Sequence, residues 1–192
     1  MQHFYHGIQG WFDFEDLYSE IVRNMPDGSR FAEVGVWKGR SLAYLAVEAT
    51  NSGKNIEIHA IDTWEGSREH KNPRFHEPLL ETPDGLYQHF LGNIRPVIER
   101  IRIHRMKSTE ASKMFPDQHF ETVFIDASHE YHDVLEDLEA WTPKVKQHSF
   151  ILGHDMDRRG VYDAVKHFSE KNGLEFGLVS TRCFAVATPA TE

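Results

Sequence analysis

The feature that most constrains this chain is its rhythm, in which short apolar runs of strand character alternate with amphipathic helical stretches. Phe14, Leu17, Tyr18, Ile21, Val22 and Met25 recur at the spacing of one helix face, and Pro26-Asp27-Gly28 ends that helix, so residues 1–28 form an N-terminal helical unit. A strand-like run over 31–36 leads into a helix from about Gly39, with Leu42, Leu45, Ala46 and Ala49 on one face. Residues 56–61 form a second strand, and a helix resumes near Leu86 with Phe90, Leu91 and Ile94. Residues 101–106 alternate as a third strand, followed by a short helix over 109–114 and a buried-type strand over 122–125. Val134, Leu135, Leu138 and Trp141 mark the next helix, closed by Pro143. Residues 149–152 form a fifth strand, Val161, Ala164, Val165 and Phe168 a further helix, and residues 175–179 and 183–187 two final strands with no helix between them.

Alternation of this kind predicts an α/β fold: a doubly wound, mostly parallel seven-stranded sheet with an antiparallel C-terminal hairpin at its edge, in one domain over 1–192. Such a sheet places its ligand outside the carboxyl ends of its strands. The chemistry is therefore expected in the residues just after each strand.

Glu33, Gly35 and Gly39 follow the first strand in the pattern E-x-G-x-x-x-G. The glycines let the backbone turn sharply and approach a ligand closely. The spacing differs from the G-x-G-x-x-G of dinucleotide binders, and a carboxylate before the turn suits an amine-bearing or cationic ligand. Asp62 stands at the tip of the second strand, where a carboxylate accepts ribose hydroxyls or caps a turn. Trp64 either packs on the ligand or closes the core. Asp126 emerges from the fourth strand with His129 three residues on, a carboxylate beside a candidate general base. Gly153-His154-Asp155 follows the fifth strand, and a His-Asp pair opposite Asp126 offers nitrogen and oxygen ligands to a divalent cation. Each motif also has a plain structural reading as a cap or turn; their conjunction at four strand tips is what argues for a site.

Residues 63–85 show no period and carry Pro73, Pro78 and Pro83, which suits a lid over an acceptor. The net charge of -9 and the lack of a basic stripe argue against nucleic acid; the run from Arg95 to Lys107 is interrupted by Glu99. The lone cysteine, Cys183, lies in an apolar run and is expected to be a buried structural thiol. No apolar run approaches the ~18 residues of a membrane span and no export leader is seen, so the expected location is cytoplasmic. Nothing fixes the oligomeric state, and a homo-oligomer stays open.

The turn from Glu33 to Ser41, the acidic tip at Asp62, the segment Asp126-Ala127-Ser128-His129-Glu130-Tyr131 and the Gly-His-Asp at 153–155 resemble the class I S-adenosylmethionine (SAM)-dependent methyltransferases. Within these they resemble the small-molecule O-methyltransferases of macrolide, aminocoumarin-sugar and cephalosporin pathways. The resemblance implies a Rossmann-like methyltransferase fold and methyl transfer from SAM to a hydroxyl of a small acceptor. It implies that Glu33, Gly35, Gly39 and Ser41 border the methionine part, that Asp62 holds the ribose beside Trp64, that Ser108 meets the adenine side, and that Asp126 also faces the cofactor. Asp126, His154 and Asp155 fall where several relatives hold Mg2+ or another divalent cation, and His129 where they carry a general base. The chain has histidine where those relatives have the first acid after the fifth strand, and a hard cation prefers oxygen. A nicotinamide-dependent oxidoreductase, a SAM- or metal-binding protein without transferase activity, and a metal-dependent enzyme of another reaction class are the alternatives.

Overall fold

The computed structural model describes residues 1–71 and 76–188. Seven strands form one sheet in the order β3-β2-β1-β4-β5-β7-β6: β1 (Arg30–Val34), β2 (Glu57–Asp62), β3 (Ile101–Arg105), β4 (Phe120–Ile125), β5 (Val145–Gly153), β6 (Phe176–Leu178) and β7 (Phe184–Ala187). Strands β1 to β5 pair in parallel, as the alternation with helices requires, while β7 runs antiparallel to both β5 and β6. The expected C-terminal hairpin is therefore present, with its second strand inserted between β5 and the first.

The helices α1 (Glu15–Asn24), α2 (Arg40–Asn51) and α3 (Gly85–Ile94) cover one face of the sheet. On the other lie α4 (Ser108–Ser112), α5 (Tyr131–Trp141) and α6 (Arg159–Asn172). The apolar stripes read from the sequence are the buried ones: Leu42, Leu45, Ala46 and Ala49 of α2, and Val134, Leu138 and Trp141 of α5, are sealed from solvent. Each large side chain so buried contributes about 1.5–3 kcal/mol. The N-terminal helix is anchored by rings: Phe14 stacks on Phe124 of β4, and Tyr18 meets Phe31 and Phe124 edge-on.

Strand order reverses between β1 and β4, whose following helices lie on opposite faces, so a crevice opens above that pair. The tips nonetheless close tightly beneath it. Asp126 N–H donates to the Val34 carbonyl at 2.8 Å and Gly35 N–H to the Ile61 carbonyl at 2.9 Å. Gly35 has φ +85°, and a Cβ there would lie 2.2 Å from the Asp126 carbonyl oxygen, so only glycine fits.

The segment expected to be a lid contains short 3-10 turns at Arg68–Lys71 and Pro78–Glu81; its residues 72–75, Pro73 included, lie outside the described residues. Strand β5 starts at Val145, earlier than expected, with the alternating exposure of an edge-facing stretch before its buried end. The short helix begins at Ser108 and ends at Ser112. Cys183 is buried, and burial pushes its thiol up to about 12, as befits a structural role. Among the described residues no helix is long and apolar enough to cross a membrane.

Candidate active site in a two-lobed cleft

The strand tips open into two lobes that share a wall of Gly35, Trp37, His70, Asp126 and Ala127. The first lobe lies over β1, β2 and β3 and is lined by Ile61, Asp62, Met106, Ser108, Ser128 and Asp133 among others. The second lies over β4 and β5 and is lined by Trp11, Ser41, His129, His154, Asp155 and Arg158.

The first lobe is built by hydrogen bonds to one carboxylate. Asp62 Oδ2 accepts the backbone N–H groups of Val36 and Trp37 at 2.8 and 2.9 Å, and Oδ1 that of Trp64 at 2.8 Å. The loops after β1 and β2 are thus locked to each other. Burial raises the Asp62 carboxyl above its usual range although these donors pull it down. Trp37 and Trp64 both adopt positive φ, and the Trp64 indole N–H donates to the Trp37 carbonyl at 2.8 Å. Trp64 itself is buried against Phe90 and Tyr87, so it closes the core and leaves the lobe wall to Trp37, which stacks on His70. Lys38 of the same loop forms a buried pair with Glu77 at 2.6 Å, tying the candidate lid down. Ser108 accepts the Trp141 indole N–H at 2.7 Å and hydrogen-bonds Asp137, whose carboxyl burial raises to about 7.

Glu33 is placed under the cleft and is part of neither lobe wall. The residue is 1% exposed, and its carboxyl accepts hydroxyl hydrogen bonds from Ser41 at 2.6 Å and Tyr18 at 3.0 Å. Burial pushes its pKa up to about 8 against those bonds. Gly39 likewise faces away from the lobes, where a Cβ would meet Ile94 of α3 at 2.8 Å.

The second lobe is an ionic network. His129 Nε2 lies 2.7 Å from Asp155 Oδ2, and Arg182 holds the other oxygen, Oδ1, of the same carboxylate. His154 is buried with its Nε2 2.8 Å from Asp13 Oδ1, while Nδ1 faces Asp126 Oδ1 at 3.7 Å and Asp155 Oδ2 at 3.5 Å. Burial works against charge on His154, and the carboxylates of Asp126 and Asp155 outweigh it, holding the imidazole pKa up to about 10. Burial also opposes the Asp155 charge, but His129 and His154 more than offset it and hold that carboxyl well below the usual range. Around a bound cation the same atoms would serve as ligands, since one donor from each of Asp126, His154 and Asp155 lies within 4.8 Å of the others.

Of the residues singled out in the sequence, Gly35, Ser41, Asp62, Ser108, Asp126, His129, His154 and Asp155 all line the cleft. Sequence reasoning missed Asp13, Arg182, Trp11, Arg40, His70, Met106 and Asp133. Most of these come from loops that carry no periodic signal.

An α/β sheet with a two-lobed cleft at the switch point between β1 and β4 defines a Rossmann-like scaffold. The comparisons make this specific. A family model described as "Methyltransferase domain" matches residues 32–156, and the chain belongs to that family of SAM-dependent methyltransferases. An uncharacterized protein, y4gI, of Sinorhizobium fredii is 28% identical over 155 residues, which is 76% of this chain; the chain spans only 16% of the length of that relative. The structure of the O-methyltransferase NovP is similar with a TM-score of 0.69 at 15% identity, over 91% of this chain and 79% of that one. A SAM-dependent O-methyltransferase of Thermotoga maritima has a TM-score of 0.62 at 14% identity, over 96% of this chain and 69% of its own. A precorrin 8W decarboxylase of Methanobacterium thermoautotrophicum also matches, with a TM-score of 0.59 at 12% identity over 96% of this chain and 95% of that one. At such identities the likeness is one of fold, and the same fold serves different chemistry.

Proposed function

We propose that this protein transfers the methyl group of SAM to a hydroxyl oxygen of a small acceptor. The observation that carries the reading is the junction of the lobes: a histidine held by a carboxylate, His129 on Asp155, lines the lobe whose wall at Gly35 and Asp126 is also the wall of the nucleoside lobe.

In this reading the first lobe takes adenosine, with Ile61, Met106 and Ser108 around the base and Asp133 toward its amino group. Asp62 takes the ribose hydroxyls on a carboxylate whose orientation three backbone N–H groups already fix. Gly35 lets the methionine part cross the wall toward Ser41 and Arg40 in the second lobe. Glu33 acts from beneath, fixing Ser41 through its hydrogen bond. The acceptor lies among Trp11, His129 and Arg158 beside His70, next to the part of the candidate lid that Lys38–Glu77 holds down.

The reaction needs alignment of oxygen, methyl carbon and sulfur, which is worth up to ~7–11 kcal/mol of barrier. The acceptor oxygen forms the new C–O bond as the C–S bond breaks with its electron pair left on sulfur, giving S-adenosylhomocysteine. The hydroxyl proton passes to His129, which Asp155 orients.

The donor set fits a divalent cation: Asp126 Oδ1, His154 Nδ1 and Asp155 Oδ2 converge at separations longer than an ordinary hydrogen bond. Those residues would hold it, and when bound it would lower the pKa of an acceptor hydroxyl and help position it.

The test uses SAM with a deuterated methyl group and a panel of small phenols, sugars and hydroxy acids, with products read by mass spectrometry. An O-linked deuteromethyl product is expected, and His129→Ala is expected to slow its formation by ~10²–10⁴-fold while calorimetric SAM binding persists. Methyl appearing only on nitrogen, carbon or sulfur refutes the choice of acceptor atom, and unchanged turnover in the variant refutes the role of His129.

A further inference from the structure

We infer that the second lobe holds a zinc-like first-row transition ion (Zn2+, Co2+ or Fe2+) in preference to Mg2+, and that Asp13 is the outer carboxylate that aims His154 at it. The inference rests on the proposed function only in placing a cation beside the acceptor.

Asp126, His154 and Asp155 offer one nitrogen and two oxygens within 4.8 Å of one another. A small hard cation such as Mg2+ selects oxygen and keeps several waters, whereas an imidazole in a carboxylate set suits Zn2+, Co2+ and Fe2+. The three donors also stand near enough to share one ion: His154 Nδ1 lies 3.5 Å from Asp155 Oδ2 and 3.7 Å from Asp126 Oδ1.

The surrounding shell supports the assignment independently. Nitrogen ligands need their second ring nitrogen engaged so that the ring is oriented and the correct tautomer fixed. Asp13 does this for His154: its Oδ1 lies 2.8 Å from Nε2, so that with a cation on Nδ1 the Nε2–H would donate to Asp13. Ligand carboxylates also need partners, and Arg182 takes Asp155 Oδ1, with Oδ2 on the side shared by His154 and His129. Arg182 reaches Asp13 as well, at 3.5 Å, so one guanidinium braces both carboxylates. The imidazole itself is buried with 4% residue exposure, and Phe14 packs on its ring, so it cannot swing away to an alternative partner. His129 borders the same Asp155 oxygen at 2.7 Å, which puts the proposed base directly beside the ion.

The metal-stripped protein is titrated with Co2+ and followed by its visible d–d absorption, then challenged with Zn2+ and Mg2+; bound metal is counted after gel filtration. The expected result is one Co2+ per chain with a visible band, displaced by stoichiometric Zn2+ and resistant to millimolar Mg2+. Asp13→Asn should weaken Co2+ binding by ~10–100-fold with the band retained at saturation, as loss of an outer-shell partner does. His154→Asp should shift the preference toward Mg2+, and His154→Ala should remove the band, which separates this site from adventitious binding to the other histidines. Mg2+ displacing Co2+ as readily as Zn2+ does, or Co2+ affinity indifferent to both Asp13→Asn and His154→Ala, overturns the inference. The wild-type competition decides even if the His154 variants fail to fold. SAM calorimetry on the same preparation separates the two proposals: SAM binding without selective metal binding sinks this inference alone, and loss of SAM binding sinks the methyl-transfer reading.

Discussion

Glu33 gives the account a quantitative handle. Its carboxyl is fully enclosed and its pKa rises from 4.5 to about 8. A group whose folded pKa is raised binds its proton more tightly in the folded state, so between pH 4.5 and about 8 the unfolded chain ionises while the folded one does not. For a carboxyl this means stability lost as pH rises, with a slope of about 1.4 kcal/mol per pH unit, or ~3 kcal/mol by pH 7. Glu33→Gln keeps the shape and an acceptor oxygen for Ser41 or Tyr18 while removing the titration. The offset between the two proteins is uninformative, since the amide alters the hydrogen bonds with Ser41 and Tyr18; the slope of the difference carries the test. The wild-type curve alone is equally uninformative. His59, whose pKa burial and then His104 push from 6.5 down to about 4, contributes an opposite slope below pH 6.5. Urea unfolding of both proteins at pH 5, 6 and 7, with equal m-values, should show Glu33→Gln gaining on wild type by about 1 kcal/mol or more per pH unit. Parallel curves would mean that Glu33 is ionised in the folded protein and would refute a neutral, enclosed carboxyl.

Gly35→Ala should destabilise by ~3 kcal/mol or more in thermal or urea unfolding, because it combines positive φ with a methyl 2.2 Å from the Asp126 carbonyl; a change within experimental error would remove the close approach of β1 and β4 from the account. Glu77→Gln should loosen the segment over the cleft, with amide exchange around 63–71 accelerating, the acceptor KM rising several-fold and global stability falling, since it leaves the buried Lys38 ammonium without the carboxylate that ties that segment to the loop after β1. Unchanged exchange would show that the segment is held by its aromatic contacts instead.

The fold was legible because parallel strands and their covering helices write two clear periods into the sequence. The strand tips were legible for the same reason, and Gly35, Asp62, Asp126, His129, His154 and Asp155 do line one cleft. What the sequence could not convey is the side a tip residue faces. Glu33 and Val34 are adjacent on β1, and alternation sends Val34 to the first lobe and Glu33 down to Tyr18 of α1. Trp64 was ambiguous between ligand and core, and packing against Phe90 decides for the core. Asp13 and Arg182 were invisible because they meet His154 and Asp155 across long separations in the chain, from loops with no repeating pattern. The insertion of β7 beside β5 was equally hidden, since it depends on β5 having an unpaired edge for an antiparallel strand to take.

The central claim is that the lobe over β1, β2 and β3 is built for an adenosyl cofactor, and calorimetric titration with S-adenosylhomocysteine tests it most directly. Saturable binding of one molecule per chain is expected, with no comparable heat from NAD and with loss of binding when Met106→Trp fills the lobe in a protein that still folds. Heat from NAD but none from S-adenosylhomocysteine, or homocysteine-form binding that Met106→Trp leaves untouched, would contradict it.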